Sequence, residues 1–174
     1  MSSLLWGRTL LCALLLNTIA GCGYHLTSSQ SKHLEPTQKI WVPFFTNLTA
    51  SSSAQTVLRR AFYEEIYSLR GLAPAASEDA ADLVMKARIM SYSITAVSYS
   101  AIDQVKEYSL SVGVELEISK KGQLVPIWKG QVSAVKQYPA GTNLALQRNA
   151  EEQALDAASR ILAHKFLTAL EESY

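Results

Sequence analysis

The chain has almost no cysteine and little of what a catalytic or metal centre requires. Cysteine occurs only at positions 12 and 22, too few for a disulfide framework. The three histidines, His25, His33 and His164, have no metal-ligand spacing, which argues against zinc. There is no Gly-x-Ser-x-Gly elbow, no glycine-rich phosphate loop and no His-Glu-x-x-His helix. Charge of one sign is not in excess either: 16 basic and 15 acidic residues leave a formal net charge of +1. Phosphate-binding domains usually show a clear basic surplus, so a nucleic-acid partner is not expected. Glu64 and Glu65 are adjacent on a predicted helix and therefore do not converge on one point, and Asp103-Gln104 reads as a hairpin turn. The expectation is a protein that is not an enzyme and takes no cofactor.

The amino terminus is where something is present. Arg8 stands beside the start of the chain, and Thr9 to Ala20 is almost wholly apolar, a charged region followed by a short hydrophobic one. That run is shorter than the roughly 20 residues a membrane-crossing helix needs. It ends in Ile19-Ala20-Gly21-Cys22, which resembles the lipobox of bacterial lipoproteins, with Ile19 where leucine is commoner. The resemblance implies cleavage before Cys22, acylation of its thiol and a signal peptide spanning 1–21. Arg8 is the only charged side chain removed, so the mature chain carries 15 basic and 15 acidic residues and nets zero. With Cys12 cut away and Cys22 lipidated, no thiol remains for a bridge, a metal or a nucleophile.

Residues 22–38 are polar and aperiodic, with Thr27-Ser28-Ser29-Gln30-Ser31, and read as a lipidated tether. Residues 39–174 are expected to form one domain, a size that needs no staples. Lys39 to Phe45 is apolar on both alternating faces and fits a buried strand, with Pro43 marking an edge or an end. Ser52 and Gln55 form a capping-box pattern. The helix that follows carries Ala54, Val57, Leu58, Ala61, Phe62, Ile66 and Leu69 on one stripe, with Gly71 as its C-cap.

Asp82 to Ser100 is strand-forming, but its apolar phase shifts from Leu83-Met85-Ala87-Ile89 to Met90-Tyr92-Ile94, which predicts a bulge near Ile89. In the next strand Tyr108, Leu110, Val112, Val114, Leu116 and Ile118 alternate with small and polar residues. A turn at Lys120 to Gln123 leads into a strand from about Val125 to Tyr138. After Pro139, Thr142 or Asn143 can cap a long helix with Ala154, Leu155, Ala158, Ile161, Leu162, Phe166 and Ala169 on its stripe. The predicted fold is α+β, in the order β-α-β-β-β-α, with two helices packed on one face of a four-stranded mixed sheet.

Surfaces remain as the seat of function. Tyr92, Tyr99, Tyr108 and Tyr138 cluster in the strands, and tyrosine is favoured at interfaces. Tyr108, in phase with Leu110, is expected as a hydrogen-bonded core residue, while Tyr99 stands open between core and interface. Lys86, Arg88, Lys106, Lys129, Lys136 and Arg148 are expected to converge near one end or face of the sheet, an arrangement that suits a phosphorylated anionic ligand.

The motifs in their order resemble the LptE family of lipopolysaccharide-assembly lipoproteins. The resemblance is carried by Ala20-Gly21-Cys22-Gly23-Tyr24-His25-Leu26, Val42-Pro43-Phe44-Phe45-Thr46-Asn47-Leu48-Thr49 and Ser91-Tyr92-Ser93. It continues through Lys106-Glu107-Tyr108-Ser109-Leu110, Trp128-Lys129-Gly130, Tyr138-Pro139 and the Ala/Glu-rich last helix. It implies a lipoprotein held in the periplasmic leaflet of the outer membrane, consistent with Gly23 after the cysteine. There it would plug and help assemble a large β-barrel and bind lipopolysaccharide in passage. It also implies a basic ligand residue early in the last helix, here Arg148. The loop Ser100 to Gln104 lacks the arginine some relatives place there, and Lys106 is the expected substitute, with Lys136 as a further ligand candidate. The alternative is a lipoprotein pilot or scaffold for another envelope assembly, without a lipid ligand.

Overall fold

The structure is a computed structural model that describes residues 37–70 and 72–172. The signal segment, the lipidation site Cys22, most of the tether and the proposed cap Gly71 lie outside the described residues. Strands β1 (Lys39–Trp41) and β2 (Thr46–Asn47) lead into helix α1 (Ala54–Arg70). Strands β3 (Ala73–Pro74), β4 (Leu83–Tyr99), β5 (Val105–Lys120) and β6 (Trp128–Pro139) follow, and helix α2 (Leu144–Glu172) ends the fold.

The α+β class and the mixed sheet are as expected, but the strand count and order are not. The sheet has six strands rather than four, in the order β3-β1-β4-β5-β6 with β2 also paired to β4. Two local causes account for the difference. The single strand expected over Lys39 to Phe45 is interrupted around Pro43, which has no N–H to give to a ladder, and resumes at Thr46. Ala73–Pro74 then adds a short strand parallel to β1. Both β1 and β2 run parallel to β4 because the return crosses over through α1. Strands β4, β5 and β6 form the expected antiparallel meander.

The predicted bulge is present. Ile89 pairs with Val114 and Ser91 with Gly113, which leaves Met90 unmatched and 43% exposed. Beyond it the inward phase passes to Tyr92 and Ile94, both half-buried. The β4–β5 turn closes through Ser100, whose N–H donates to the Gln104 carbonyl at 2.7 Å, with Asp103 at φ +56°. Asp tolerates that left-handed conformation better than most residues.

The core lies between the two helices and one face of the sheet. Leu110, Val112, Val114, Leu116 and Ile118 are all buried, as their alternation predicts. So are Ala54, Val57, Leu58, Ala61, Phe62 and Ile66 of α1; the side chain of Leu69 is outside the described set. Helix α1 begins one residue later than the capping-box reading, since its first turn closes from the Val57 N–H to the Ser53 carbonyl at 3.1 Å. On α2 the stripe is wider than predicted. Ala154, Leu155, Ala158, Leu162, Ala163, Phe166, Leu167 and Leu170 are buried, whereas Ile161 is 39% exposed. The reason is that α2 meets both α1 and the sheet, so two adjoining stripes are covered and Ile161 lies beyond them.

Four rings run through this core. Phe45 meets Phe62 edge-on at 5.4 Å, Phe62 meets Phe166 at 5.9 Å, and Phe166 meets Trp128 at 5.1 Å. At the surface, Arg60 and Arg160 bracket Asp156 at 2.8 and 3.1 Å, and Arg160 reaches Glu64 at 2.9 Å, lashing α1 to α2. Burial alone would raise the Asp156 pKa, but its bonds to the two guanidiniums outweigh that and hold it below the ordinary value. The outer edge of β6 is guarded by Lys165, whose Nζ donates to the Ser133 carbonyl at 2.8 Å, a charge of the kind that blunts edge pairing.

Two outcomes follow. Phe166→Ala removes the ring shared by both helices and β6, and should cost about 3–5 kcal/mol in urea unfolding; Ile161→Ala should cost less than about 1 kcal/mol. The folded Asp156 pKa is depressed, so its stabilisation is present above the unfolded value and fades as pH falls through the folded one. Asp156→Asn should therefore be less stable than the parent at pH 7 by about 0.5–1 kcal/mol, with the gap closing as pH falls below about 4.

Candidate functional site

The elements carrying Lys106, Lys136 and Arg148 meet at one end of the molecule. Lys106 is the second residue of β5, and its carbonyl accepts the Ala140 N–H at 2.8 Å just past the end of β6. Lys136 lies opposite Leu110 on β6. Arg148 is in the second turn of α2, whose start is built tightly onto the end of β6. The Asn143 side chain accepts the Leu146 N–H at 3.0 Å, and its carbonyl accepts the Gln147 N–H at 2.9 Å, so Asn143 is the cap. The Gln147 side chain accepts the Gly141 N–H at 2.6 Å. A Cβ on Gly141 would stand 2.3 Å from the Gln147 nitrogen, so this approach requires glycine.

All three basic side chains are exposed, and none joins an ion pair among the described residues. The structure brings them to the same end without bringing them into contact. Four strand residues separate the levels of Lys106 and Lys136, about 13 Å along the sheet. The same end of the molecule carries exposed apolar side chains: Val97 (44%), Tyr99 (57%) and Ile102 (74%) from the β4–β5 hairpin, and Leu144 (66%) and Leu146 (51%) from the start of α2.

Behind this surface sits a polar cluster inside the core. Tyr108 and Tyr138 stack with centroids 5.6 Å apart, and the Tyr92 hydroxyl donates to Glu151 Oε1 at 2.8 Å. Burial, then the bond to Glu151 and its charge, push the Tyr92 phenol pKa well up. The Tyr138 hydroxyl is buried and has no hydrogen-bond partner among the described residues. Its pKa is raised by burial first and by the Glu151 charge second, with Gln147 opposing. Tyr108 has the expected inward phase and stacks on Tyr138, but it is half-buried rather than core and its hydroxyl makes no hydrogen bond among the described residues; Tyr99 proves to be a surface residue.

The single basic cluster expected from sequence does not form. Strand alternation puts Lys86 and Arg88 of β4 and Lys129 of β6 on the face turned away from the helices, where Lys129 pairs with Glu115 at 3.1 Å and Glu117 at 3.7 Å. Lys136 has the opposite parity and shares the phase of buried Ala134 and Tyr138. Sequence reading also missed Gln147 and Glu151. Their signal was available: carried back by steps of four from Leu155, the buried stripe of α2 passes through both. Among the described residues no three His, Cys, Asp or Glu side chains gather as metal ligands, and no helix is long and apolar enough to cross a membrane.

Because the Tyr138 hydroxyl is buried without a hydrogen-bond partner among the described residues, deleting it relieves a desolvation cost rather than losing a bond. Tyr138→Phe should leave the thermal midpoint unchanged or raise it slightly, whereas Glu151→Ala, which strands the Tyr92 hydroxyl, should cost about 1–3 kcal/mol in the same melts.

The fold has solved counterparts. Rare lipoprotein B from Shewanella oneidensis is 17% identical, with 76% of this chain and 92% of that one covered at a TM-score of 0.51. A hypothetical protein from Chlamydia trachomatis is 14% identical, with 79% and 96% covered at 0.54. PelC, a dodecamer from Paraburkholderia phytofirmans, is 15% identical, with 79% and 92% covered at 0.51. At such identities the likeness is one of fold. No curated protein matches the chain significantly. The sequence model of the LptE family, described as lipopolysaccharide-assembly, matches residues 37–170, which takes in every strand and helix described above except the last two residues of α2. The chain belongs to the LptE family.

Proposed function

We propose that this chain is an outer-membrane lipoprotein, anchored through Cys22 in the periplasmic leaflet, that plugs and helps assemble a large β-barrel and binds lipopolysaccharide on its way to the outer leaflet. The family match over residues 37–170 is the observation that carries the reading, since membership brings a role in lipopolysaccharide assembly. The end of the molecule described above supports the ligand part. Lipopolysaccharide joins phosphates to acyl chains, and the end of the molecule that carries Lys106, Lys136 and Arg148 also exposes Ile102, Leu144 and Leu146. Arg148 is the principal anion contact, because a planar guanidinium can meet a phosphate with two parallel hydrogen bonds.

Its backbone is held from both sides of that turn. Gln147 is tied to Gly141, and Glu151 is tied to Tyr92. The helix therefore presents the cation on a rigid base rather than on a loop. Binding of this kind makes and breaks no covalent bond, so the role calls for no catalytic side chain and no cofactor.

The test uses the lipidated chain purified from membranes, with capture of lipopolysaccharide and co-purification of the barrel scored separately. Arg148→Glu should lower capture about tenfold or more, the loss of one charge-assisted contact, while barrel recovery stays level. Unchanged capture removes Arg148 from the site. A parent protein that neither binds lipopolysaccharide nor brings down a barrel sinks the proposal and leaves the scaffold alternative.

A further inference from the structure

The two ends of the sheet carry different things. Lys106, Lys136 and Arg148 mark one; at the other the described chain enters through Thr37 and β1. One residue ties that entry to the β5–β6 hairpin. The Asp82 N–H donates to the Lys39 carbonyl at 2.8 Å, its Oδ2 accepts the Lys39 N–H at 2.8 Å, and its carbonyl accepts the Lys121 N–H at 2.9 Å. The Lys121 ammonium also reaches the Asp79 carbonyl. The base of the hairpin is thereby fixed beside the point of entry.

Past that base the chain turns tightly and then protrudes. The Gln123 N–H donates to the Lys120 carbonyl at 3.1 Å, and Gly122 takes a φ of +78° that favours glycine. The ladder resumes where the Ile127 N–H donates to the Ile118 carbonyl at 2.8 Å. Between these two bonds Leu124 is fully exposed and Val125 is 75% exposed, whereas Ile127 and Trp128 behind them pack on the core. Scattered surface leucines are ordinary; two adjacent apolar side chains at the tip of a pinned turn have a common direction. They are too few for a stable protein interface, which takes about 800 Å² from each partner. Charge does not supply the attraction either, since Lys39, Lys120 and Lys121 at this end are matched in number by Glu78, Asp79 and Asp82. A small apolar tip without surplus charge suits the boundary between lipid headgroups and acyl chains, where shallow burial suffices once a second anchor holds the protein.

We propose that Leu124 and Val125 insert into the leaflet that holds the lipid on Cys22. This rests on the anchor reading, which supplies the second point of attachment. Cys22 and Lys39 are 17 residues apart, at most about 60 Å of chain, and Leu124 lies three residues past Lys121, about 10 Å beyond the level of entry. Insertion of the tip is then an intramolecular event at a raised effective concentration. It also orients the domain: the 16 residues of β5 hold the basic end about 50 Å from the leaflet.

The test attaches an environment-sensitive nitrobenzoxadiazole label to the mature lipidated chain in vesicles of phosphatidylethanolamine and phosphatidylglycerol. Gln123→Cys leaves both apolar side chains in place; Ile102→Cys, at the opposite hairpin where Ile102 is 74% exposed, is the reference. The expected result is blue-shifted emission at 123 and quenching by doxyl groups on the acyl chains, with the label at 102 unquenched. Leu124→Asp combined with Val125→Asp, at exposed positions that leave melting unchanged, should lower the ratio of inserted to aqueous label at 123 about tenfold or more, the worth of a buried apolar side chain. Raising salt from about 0.05 to about 0.5 M should leave that ratio level. Equal quenching at 123 and 102, a signal indifferent to the double variant, or a signal lost in salt overturns the proposal. Acylation of Cys22, read by mass, is scored apart. An acylated chain that floats with the vesicles while its label at 123 stays aqueous refutes this contact alone; an inserted label on a chain whose Cys22 carries no acyl group refutes the anchor reading alone.

Discussion

The contact between Phe62 and Phe166 is the one on which the other elements lean. These two buried rings, 5.9 Å apart, join the only two helices described, and each also touches the sheet, Phe62 through Phe45 and Phe166 through Trp128. Phe45 precedes β2 and Trp128 opens β6, so the chain of rings spans the sheet from its parallel side to its far antiparallel edge. Rings of this size dominate the apolar area a small core can bury. A helix pair seated this way leaves the opposite sheet face uncovered, and Lys86, Arg88, Glu115, Glu117 and Lys129 emerge there, whereas Lys106 and Lys136 have the inward parity and stay exposed only near the turn end.

From that constraint come two surfaces with different chemistry. At the turn end, the tight Gly141–Gln147 junction and the Tyr92–Glu151 bond lock the start of α2 against β4 and β6, and basic and apolar side chains stand outside the lock. On the open face and along α1, the break around Pro43 leaves Phe44 out between Lys86, Arg88 and Arg59. The strand alternation keeps the two apart.

Much of this was legible in residues alone. The phase change at Ile89 announced a bulge, the alternation from Leu110 to Ile118 announced a half-covered strand, and Asn143 was one of two expected caps. The family that the motifs pointed to is borne out by the match over 37–170. Less legible were features that depend on two elements at once. Pro43 could mark an edge or an end, and only pairing with β4 shows that the strand resumes at Thr46. Ile161 looks like stripe until α1 is in place and covers a different flank of α2. Six basic residues looked like one cluster until parity split them.

The sequence by itself determined the class of the fold, the inward face of β5 and of α1, and the family, because period and motif order are properties of one segment at a time. Tertiary structure decided the strand count, the partners of Tyr92 and Tyr138, the separation of Lys86, Arg88 and Lys129 from Lys106, Lys136 and Arg148, and the exposure of Phe44. Each of those depends on register between segments distant in the chain, and a shift of one residue in register reverses the face on which a side chain emerges.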